Sequence, residues 1–430
     1  MTFLESPTLA VDQRVRARIA AGERVLHLAF GEAGLPVLPE AVEALASGAH
    51  LNSYGPVAGS LAARSAVAGY WNRRDLPTDP ESVLLAPGSK AILFALLMVI
   101  AGDVVLPRPS WVSYGAQAAV AGHQVIWVPT PPQVGGIPDP DLLEAAIAGA
   151  QAQGRRPGCL VVTLPDNPTG TLAEESLIEA VCAIADRHGL AVISDEIYRE
   201  LAYEPAAVYS PAHCLPDRTI TTTGLSKSVA LGGWRIGAAR FPHSSWGEQL
   251  RADVAALSSE LWSSLAGPMQ AVADHIFSEP ITVREHIAAS RRLHRAVALE
   301  VHRLFIEAGA QCREPQGGFY LYPDFSSLHS KLRALGIASG DALADYLLRQ
   351  RGVAVLAGSA FGDEPAALRF RVATSLLYGQ SEDQRWESLR STQPCALPWI
   401  AGALGQLRDA LEPLRGLGPG PGAAEFAPTA

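Results

Sequence analysis

The chain has 430 residues, 48% of them apolar and 18% charged, which is typical of a soluble globular protein of two or three domains. Its formal net charge of −9 makes nucleic acid and anionic membrane surfaces poor partners. Lysine is rare: only Lys90, Lys227 and Lys331 occur, so a reaction that needs a lysine amine must use one of these three.

The cysteines and the first residues indicate a cytoplasmic protein. The five cysteines are far apart in sequence and form no C-x-x-C pair, as expected of ordinary thiols in a reducing compartment. Residues 1–13 lack a basic segment followed by an apolar one, which is the pattern of a secretory signal. The longest apolar stretch, residues 91–101, is shorter than the about 20 residues that span a bilayer.

Several enzyme classes are excluded because their motifs are missing. The eleven histidines are never closer than eight residues apart, so no helical pair of metal ligands exists, and we predict no metal site. Neither G-x-x-x-x-G-K-[ST] nor G-x-S-x-G occurs. The sequence therefore lacks the residues that characterise metal hydrolases, P-loop proteins and serine hydrolases.

Between residues 82 and 237, short apolar strands alternate with helices. Strands are predicted at 83–86, 104–106, 124–128, 160–164, 190–194 and 219–223, and the first is followed by a helix over 90–100. Nearly continuous runs of β-branched residues that alternate with helices predict an α/β fold with a parallel sheet covered on both faces. Right-handed crossovers then place the carboxyl ends of the strands at one edge, where such sheets bind ligands.

The pattern changes after a long polar helix at about 280–308, whose histidines, His286, His294 and His302, we expect on its solvated face. Strands at 318–322, 353–356 and 368–372 with a helix over 340–350 predict a smaller α+β domain. The predicted organisation is an N-terminal segment that joins the small domain, a large cofactor-binding domain, a small C-terminal domain, and a helix with a disordered tail: 1–49, 50–285, 286–398 and 399–430.

Chemically useful side chains follow the ends of the predicted strands. Asn167 lies in Asp166-Asn167-Pro168-Thr169-Gly170, and Asp195 begins Asp195-Glu196-Ile197-Tyr198. Lys227 ends Gly224-Leu225-Ser226-Lys227, and Arg235 follows within a glycine-rich turn. Gly88-Ser89 opens a helix, whose free N–H groups form an anion site. An amine, a carboxylate, an anion site and an aromatic plate together suit pyridoxal phosphate.

With these motifs, N-P-x-G, D-E-x-Y and S-K-x-x-x-x-x-G-x-R-x-G, the sequence resembles the fold type I aminotransferases of class I/II. The motifs occur in the order and at the spacing of that family, and the resemblance runs from about Gly31 to Ser375. It implies a large domain with a mainly parallel, doubly wound sheet, a smaller α+β domain and pyridoxal 5'-phosphate as cofactor.

The resemblance implies the residues that act on the cofactor ring. Lys227 would hold the cofactor as a Schiff base and then move the proton between Cα and C4′. Asp195 would pair with the pyridinium N–H, because a fixed negative charge there keeps the ring nitrogen protonated. Tyr198 and Asn167 would hydrogen-bond the phenolic oxygen, and Trp111 would stack on the ring.

The phosphate and substrate contacts are implied in the same way. Arg235, Ser226, Ser89 and the backbone of Lys90 would hold the phosphate. The residues that would contact the substrate are Gly31, Asn167 and Arg369. Arg369 would clamp the substrate α-carboxylate with two hydrogen bonds, and Tyr54 would reach the phosphate site of the other subunit of a homodimer.

Some of these assignments have alternatives. Arg369 and Arg371 share one face of their strand by alternation, and only the family spacing before Ala373-Thr374-Ser375 favours Arg369. The side chain of Lys90 could be only a charge near a helix start, and Tyr54 could be a core residue. Departures from the family pattern occur at Gly224, Asp166 and Ala357.

We predict an aminotransferase that moves an amino group from an L-amino acid to a 2-oxo acid. The alternative is an enzyme of the same fold that decarboxylates, oxidatively deaminates or eliminates from an amino acid, because the motifs do not separate these reactions. A ligand-sensing regulator is disfavoured, since no basic helical module precedes the family-like region and the net charge is −9.

Overall fold

A central sheet and a second, smaller group of strands organise residues 5–415, which the computed structural model describes. The strands are β1 (Leu26–His27), β2 (Val83–Pro87), β3 (Asp103–Arg108), β4 (Val125–Pro129), β5 (Pro157–Thr163), β6 (Ala191–Asp195), β7 (Thr219–Gly224), β8 (Ile236–Arg240), β9 (Tyr320–Leu321), β10 (Val353–Ala354), β11 (Leu356–Ala357) and β12 (Phe370–Ala373). The predicted disorder of residues 416–430 lies outside the described residues.

The helices are α1 (Pro7–Ala20), α2 (Pro39–Gly48), α3 (Leu61–Asn72), α4 (Ser89–Val99), α5 (Val112–Val120), α6 (Pro140–Ala152), α7 (Glu175–Arg187), α8 (Pro211–Cys214), α9 (Leu225–Ser228), α10 (Ser245–Leu261), α11 (Gly267–Phe277), α12 (Ile281–Glu307), α13 (His329–Ala334), α14 (Gly340–Arg351), α15 (Glu382–Arg390) and α16 (Pro398–Arg415). None of these helices has both the length and the hydropathy needed to cross a membrane.

The large sheet has seven strands in the order β2-β8-β7-β6-β5-β3-β4. Strands β3 to β7 are parallel, and β8 is antiparallel to both β2 and β7. The predicted α/β class with a mainly parallel sheet is therefore confirmed. Sequence patterns did not predict β8, because its apolar run is short and follows a glycine-rich turn. An antiparallel strand starts at the edge where its parallel neighbours end, so β8 brings Arg235 to that edge.

Helices cover both faces of this sheet. On one face, α4, α5 and α10 pack over β-strand residues such as Val104, Ile193 and Ile220. On the other, α6 and α7 pack over residues such as Leu160 and Val192. Each fully buried aliphatic side chain contributes about 1.5–3 kcal/mol of transfer free energy, so the sheet is a stable platform for its edge.

The smaller group contains the three-stranded antiparallel sheet β11-β12-β9 and the parallel pair of β1 with β10. The predicted single strand at 353–356 is in fact two strands, β10 and β11, which belong to different sheets. Leu26 of the N-terminal segment pairs with Val353, so this segment packs with C-terminal elements in one apolar cluster.

The expectation that the histidines of α12 are solvated is wrong for two of them. His286 is 5% exposed and His294 is fully buried. Nδ1 of His294 lies 2.6 Å from the hydroxyl of Tyr378. Burial lowers the pKa of His286 to about 4 and that of His294 to about 3, so both rings are neutral at neutral pH. The sequence of a long polar helix does not show which of its faces other elements will cover.

Candidate active site

A cavity of about 510 Å³ lies at the edge of the large sheet where the parallel strands end. The residues predicted for the site that line it are Gly31, Ser89, Lys90, Trp111, Asn167, Asp195, Tyr198, Ser226, Lys227 and Arg235. The cavity lining does not include Arg369 or Tyr54. The rule that parallel strands present their carboxyl ends together accounts for this convergence of residues from distant parts of the chain.

Lys227 enters the cavity from α9, directly after β7. Its amine donates a hydrogen bond to the carbonyl oxygen of Gly31. Burial, together with the positive charges of Arg371, Arg235 and Lys90, lowers the pKa of Lys227 to about 8. An amine with such a pKa is neutral in a larger fraction of molecules at neutral pH, which makes it a better nucleophile and base.

Gly31 and two tyrosines form the wall opposite Lys227. A Cβ atom at Gly31 would lie 2.2 Å from the hydroxyl oxygen of Tyr320, so only glycine fits here. The hydroxyl groups of Tyr320 and Tyr198 are 2.8 Å apart. Sequence reasoning missed Tyr320, because it lies in an ordinary apolar strand of the smaller sheet.

Asp195 ends β6 and is 3% exposed. Its oxygens accept hydrogen bonds from the hydroxyl of Tyr114 at 2.8 Å and from that of Thr222 at 3.1 Å. Burial raises the pKa of Asp195 to about 6, despite these hydrogen bonds and one from the backbone of Ile197. A buried carboxylate that has only neutral donors beside it in a cavity suits a cationic ligand group.

Tyr114 is a site residue that the sequence analysis missed. It lies on α5, is 1% exposed, and its hydroxyl is also 2.8 Å from that of Thr163. Tyr114 could have been predicted from its spacing of three residues from Trp111, because residues three apart lie on one side of a helix. The two rings meet edge to face, with centroids 5.1 Å apart.

One end of the cavity is built to bind an anion. Gly88 precedes α4 with a φ of 86°, and a Cβ atom there would lie 2.2 Å from a guanidinium nitrogen of Arg235. Arg235 itself has a φ of 57°, which is strained for a residue other than glycine. Its guanidinium donates to the carbonyl oxygen of Gly232 at 2.8 Å and lies 3.4 Å from the hydroxyl of Ser226. A helix N-terminus, a guanidinium and a hydroxyl meet here.

Lys90 also reaches the cavity with its side chain. Its amine lies 5.0 Å from the ring centroid of Trp111, within the range of a cation–π interaction. Partial burial lowers the pKa of Lys90, and the charge of Arg235 lowers it further. The side chain lines the cavity and is also exposed to solvent, so the alternative that it is only a charge near a helix start stays open.

Arg371, not Arg369, lines the cavity. Its guanidinium donates to Oδ1 of Asn167 at 3.1 Å and to the carbonyl oxygen of Ala29 at 2.8 Å, and its Nε atom is buried without a hydrogen-bond partner. Arg369 instead pairs with Asp363 at 3.2 Å and with Asp324 at 3.5 Å. Residues i and i+2 of a strand are about 6.6 Å apart, so two side chains on the same face can contact different neighbours. The placement of Arg369 in the cavity is corrected accordingly.

Tyr54 is 94% exposed, so the alternative that it is a core residue is wrong. The backbone that follows it is held by the buried Gln270, whose Oε1 accepts the N–H of Ser60 at 2.6 Å. An exposed ring on an anchored segment is a feature of subunit interfaces, but its reach into a second subunit stays a prediction.

Two of the departures from the family pattern have structural reasons. A Cβ atom at Gly224 would lie 2.7 Å from the carbonyl oxygen of Ile236, so no hydroxyl side chain fits there. Asp166 accepts the backbone N–H of Thr169 at 3.1 Å and thereby closes the loop that presents Asn167. Burial raises the pKa of Asp166 to about 7.

The donor set fits pyridoxal phosphate. The buried carboxylate of Asp195 lacks a cationic partner, the N-terminus of α4 and Arg235 form an anion cradle near Gly88, and the desolvated amine of Lys227 lines the same cavity. These groups match the ring nitrogen, the phosphate and the aldehyde of that cofactor.

Comparison with known proteins decides the family. A profile of the family described as Aminotransferase class I and II matches residues 23–376. The chain belongs to this family. It is therefore a pyridoxal-phosphate-dependent aminotransferase of fold type I, which confirms the resemblance, the cofactor and the transfer of an amino group. The alternatives of decarboxylation, deamination and elimination gain no support.

Named relatives of this aminotransferase extend over most of its length. The aspartate/prephenate aminotransferase of Cereibacter sphaeroides is 32% identical over 382 residues, which is 86% of this chain and 91% of that protein. A bifunctional aspartate and glutamate/aspartate-prephenate aminotransferase of Petunia hybrida is 32% identical over 88% of this chain and 79% of its own. The structure of the Thermus thermophilus aspartate aminotransferase with maleate aligns with a TM-score of 0.79 and 28% identity, over 95% of this chain and 97% of that one.

Proposed function

We propose that this aminotransferase takes its amino group from an acidic L-amino acid with two carboxylates and gives it to a 2-oxo acid. The cavity supplies separate cations for each anionic group: Arg235 at the phosphate end, Arg371 beside Asn167, and Lys90 beside Trp111. Two carboxylates and one phosphate need three positive groups, so the observation that Lys90 reaches the cavity carries this proposal. The names of the relatives, which act on aspartate, agree with it.

Bound pyridoxal phosphate supplies a ring that withdraws electrons from the substrate and acidifies its Cα proton. Lys227 would hold the cofactor and move that proton, because its amine has a lowered pKa and lines the cavity. Asp195 would keep the ring nitrogen protonated, and Tyr114 would hold the Asp195 carboxylate in place. Tyr198 and Asn167 would donate to the phenolic oxygen, and Trp111 would cover one face of the ring.

The phosphate would lie against the N-terminus of α4, where Ser89, Ser226, Arg235 and the backbone of Lys90 supply donors. The substrate α-carboxylate would lie between Arg371 and Asn167, near Gly31. Arg371 replaces Arg369 in this role, since its guanidinium already contacts Asn167 and Arg369 is paired with two aspartates elsewhere.

A substrate comparison tests the proposal. Lys90→Met removes the charge near Trp111 and keeps the length of the side chain and the backbone contact. We expect kcat/KM for aspartate to fall about 10- to 100-fold, the loss of one charge-assisted contact of about 1.5–3 kcal/mol, while kcat/KM for leucine or phenylalanine hardly changes. Assays with 2-oxoglutarate as the amino acceptor, run without O2 and stopped at fixed times, measure kcat/KM for each amino donor.

The same assays should show stoichiometric amino-group transfer, with no CO2 or ammonia released. An equal loss for acidic and neutral donors in Lys90→Met would mean that Lys90 acts on the cofactor rather than on the distal carboxylate. Release of CO2 or ammonia in place of a new amino acid would contradict the assigned reaction.

Arg371, in β12, and Arg369, just before β12, provide a matched pair of variants. Arg371→Lys keeps the charge but loses the planar two-point contact, so we expect substrate affinity to fall by about 2–3 kcal/mol while cofactor loading is unchanged. Arg369→Lys can keep its ion pairs with Asp324 and Asp363 and should leave the affinity near that of the wild type. Titration with aspartate, followed by cofactor absorbance, measures both; the reverse ranking would restore Arg369 as the clamp.

We also propose a cytoplasmic homodimer with shared active sites. Tyr54 is exposed on an anchored segment, and Leu51 and Leu61, which are near it in sequence, are 42% and 61% exposed. Exposed apolar side chains grouped in this way mark a protein–protein surface. The cysteines of the described residues are all free thiols, as expected in a reducing compartment.

Hybrid dimers test the shared site. Lys227→Ala and Tyr54→Ala dimers should each be nearly inactive, and free exchange at equal concentration should make half of all dimers hybrid. One site of each hybrid would combine a wild-type lysine with a wild-type tyrosine, so about a quarter of all sites should recover activity. Mass spectrometry verifies the exchange. Hybrids that form without recovered activity would show that Tyr54 serves only its own chain.

A further inference from the structure

Two cysteines that are far apart in sequence meet on the face of the sheet covered by α7. Cys182 lies in α7, and Cys214 is the last residue of α8. Both thiols approach one oxygen, the carbonyl of Pro211: the sulfur of Cys182 is 3.9 Å from it and that of Cys214 is 3.4 Å from it. Both side chains belong to the same apolar cluster.

The two thiols differ in reactivity. Cys182 is 3% exposed, whereas Cys214 is half-buried and open to solvent. The neighbouring Cys182 thiol and backbone hydrogen bonds at the end of α8 lower the pKa of Cys214, whereas the neighbouring Cys214 thiol and burial raise the pKa of Cys182. The accessible member of the pair is therefore the one whose thiolate is stabilised, and a thiolate is the form that attacks disulfides.

The other three cysteines lack these properties. Burial raises the pKa of Cys159 and of Cys312 to about 12, and it also raises that of Cys395. Within residues 5–415, no group of three or more side chains that could hold a metal ion is present.

We propose that Cys182 and Cys214 form an oxidation site that reacts with a small-molecule disulfide, such as oxidised glutathione, and closes to an intramolecular disulfide. The Cys214 thiolate attacks one sulfur of oxidised glutathione, whose S–S bond breaks and releases one glutathione, which takes up the proton lost by Cys214. Cys182 then attacks the Cys214 sulfur, and the second glutathione leaves with the proton of Cys182. The two cysteines lose two electrons, and oxidised glutathione gains them.

The position of the pair makes this closure feasible. An S–S bond needs a separation of about 2.05 Å and Cα atoms about 4.4–6.8 Å apart. Cys214 ends the four-residue α8, which has fewer helical hydrogen bonds than the 13-residue α7, so α8 is the element that would move to form the bond. The reaction should therefore be reversible by a reduced thiol without unfolding.

The experiment incubates reduced holoenzyme with defined ratios of oxidised to reduced glutathione, then traps free thiols by alkylation in denaturant. We expect the wild type to fall from five free thiols to three, with no retained glutathione and with the peptides of Cys182 and Cys214 joined. Cys182→Ser should keep one glutathione on Cys214, because the second thiol is missing. Cys214→Ser should not react at Cys182.

Cys395→Ser is the matched control, since Cys395 is a half-buried cysteine outside the pair. It should form the same joined peptides as the wild type and lose two of its four thiols. Five thiols retained by the wild type at every ratio, a wild-type glutathione adduct as persistent as that of Cys182→Ser, or joined peptides that arise only after denaturation would each overturn the proposal. Circular dichroism before oxidation verifies that each variant is folded.

Discussion

Lys227→Ala should abolish transamination, with a loss of at least about 10⁴-fold in kcat, because both covalent attachment and proton transfer at Cα depend on this amine. Cofactor should still bind at the anion end through Arg235 and the N-terminus of α4, although without a covalent bond. Steady-state assays with aspartate and 2-oxoglutarate measure the loss, and absorbance of the dialysed protein measures the retained cofactor.

The scarcity of lysine provides a direct control for this prediction. Borohydride reduction of the wild type followed by peptide mapping can place the label on only three residues, Lys90, Lys227 or Lys331. We expect it on Lys227 alone. Lys331→Ala, on α13 and outside the cavity lining, should keep wild-type activity and labelling. A label on Lys90 in the wild type would reassign the catalytic amine.

Asp195→Asn should have the second-largest effect. The amide keeps the shape of the carboxylate but removes the negative charge that holds the proton on the ring nitrogen. We expect proton abstraction at Cα to slow by about 10³-fold, equivalent to about 4 kcal/mol, with cofactor still bound. Stopped-flow spectra or the primary isotope effect with Cα-deuterated aspartate measure this step.

Tyr114→Phe is the matched comparison for Asp195→Asn. It removes one hydrogen bond to the Asp195 carboxylate and leaves the charge, so the expected loss is only about 10-fold. If Asp195→Asn slowed the reaction no more than Tyr114→Phe, the charge of Asp195 would be dispensable, and the ring nitrogen would have to be stabilised by another group.

The positions of Lys227 and Asp195 at the cavity could be predicted from the sequence, because they follow from local pattern and one topological rule. Asp195 and Lys227 each follow a buried strand, and parallel strands end at a common edge. The anion end was equally predictable, since Gly88 and Ser89 open a helix and Arg235 follows a glycine-rich turn. The resemblance to a family then supplied the role of each group.

The support around these groups could not be predicted in the same way. Tyr114 and Tyr320 contact Asp195 and Tyr198 through hydroxyl groups whose partners are 81 and 122 residues away in sequence. A tyrosine in an apolar helix or strand has the same local signature whether it packs in the core or faces a cavity. Only the folded chain distinguishes these possibilities.

By itself, the sequence determined the α/β class through strand periodicity, and the lysine count limited the reactive amine to three residues. Its motifs, through their resemblance to the class I/II aminotransferases, implied the cofactor and singled out Lys227. The tertiary structure decided between Arg369 and Arg371, which strand alternation places on one face. Arg371 meets Asn167 across the cavity, whereas Arg369 meets Asp324 and Asp363. The physical reason is that alternation fixes the face of a side chain, while the position of a strand relative to its neighbours, set by long-range packing, fixes which group that side chain reaches.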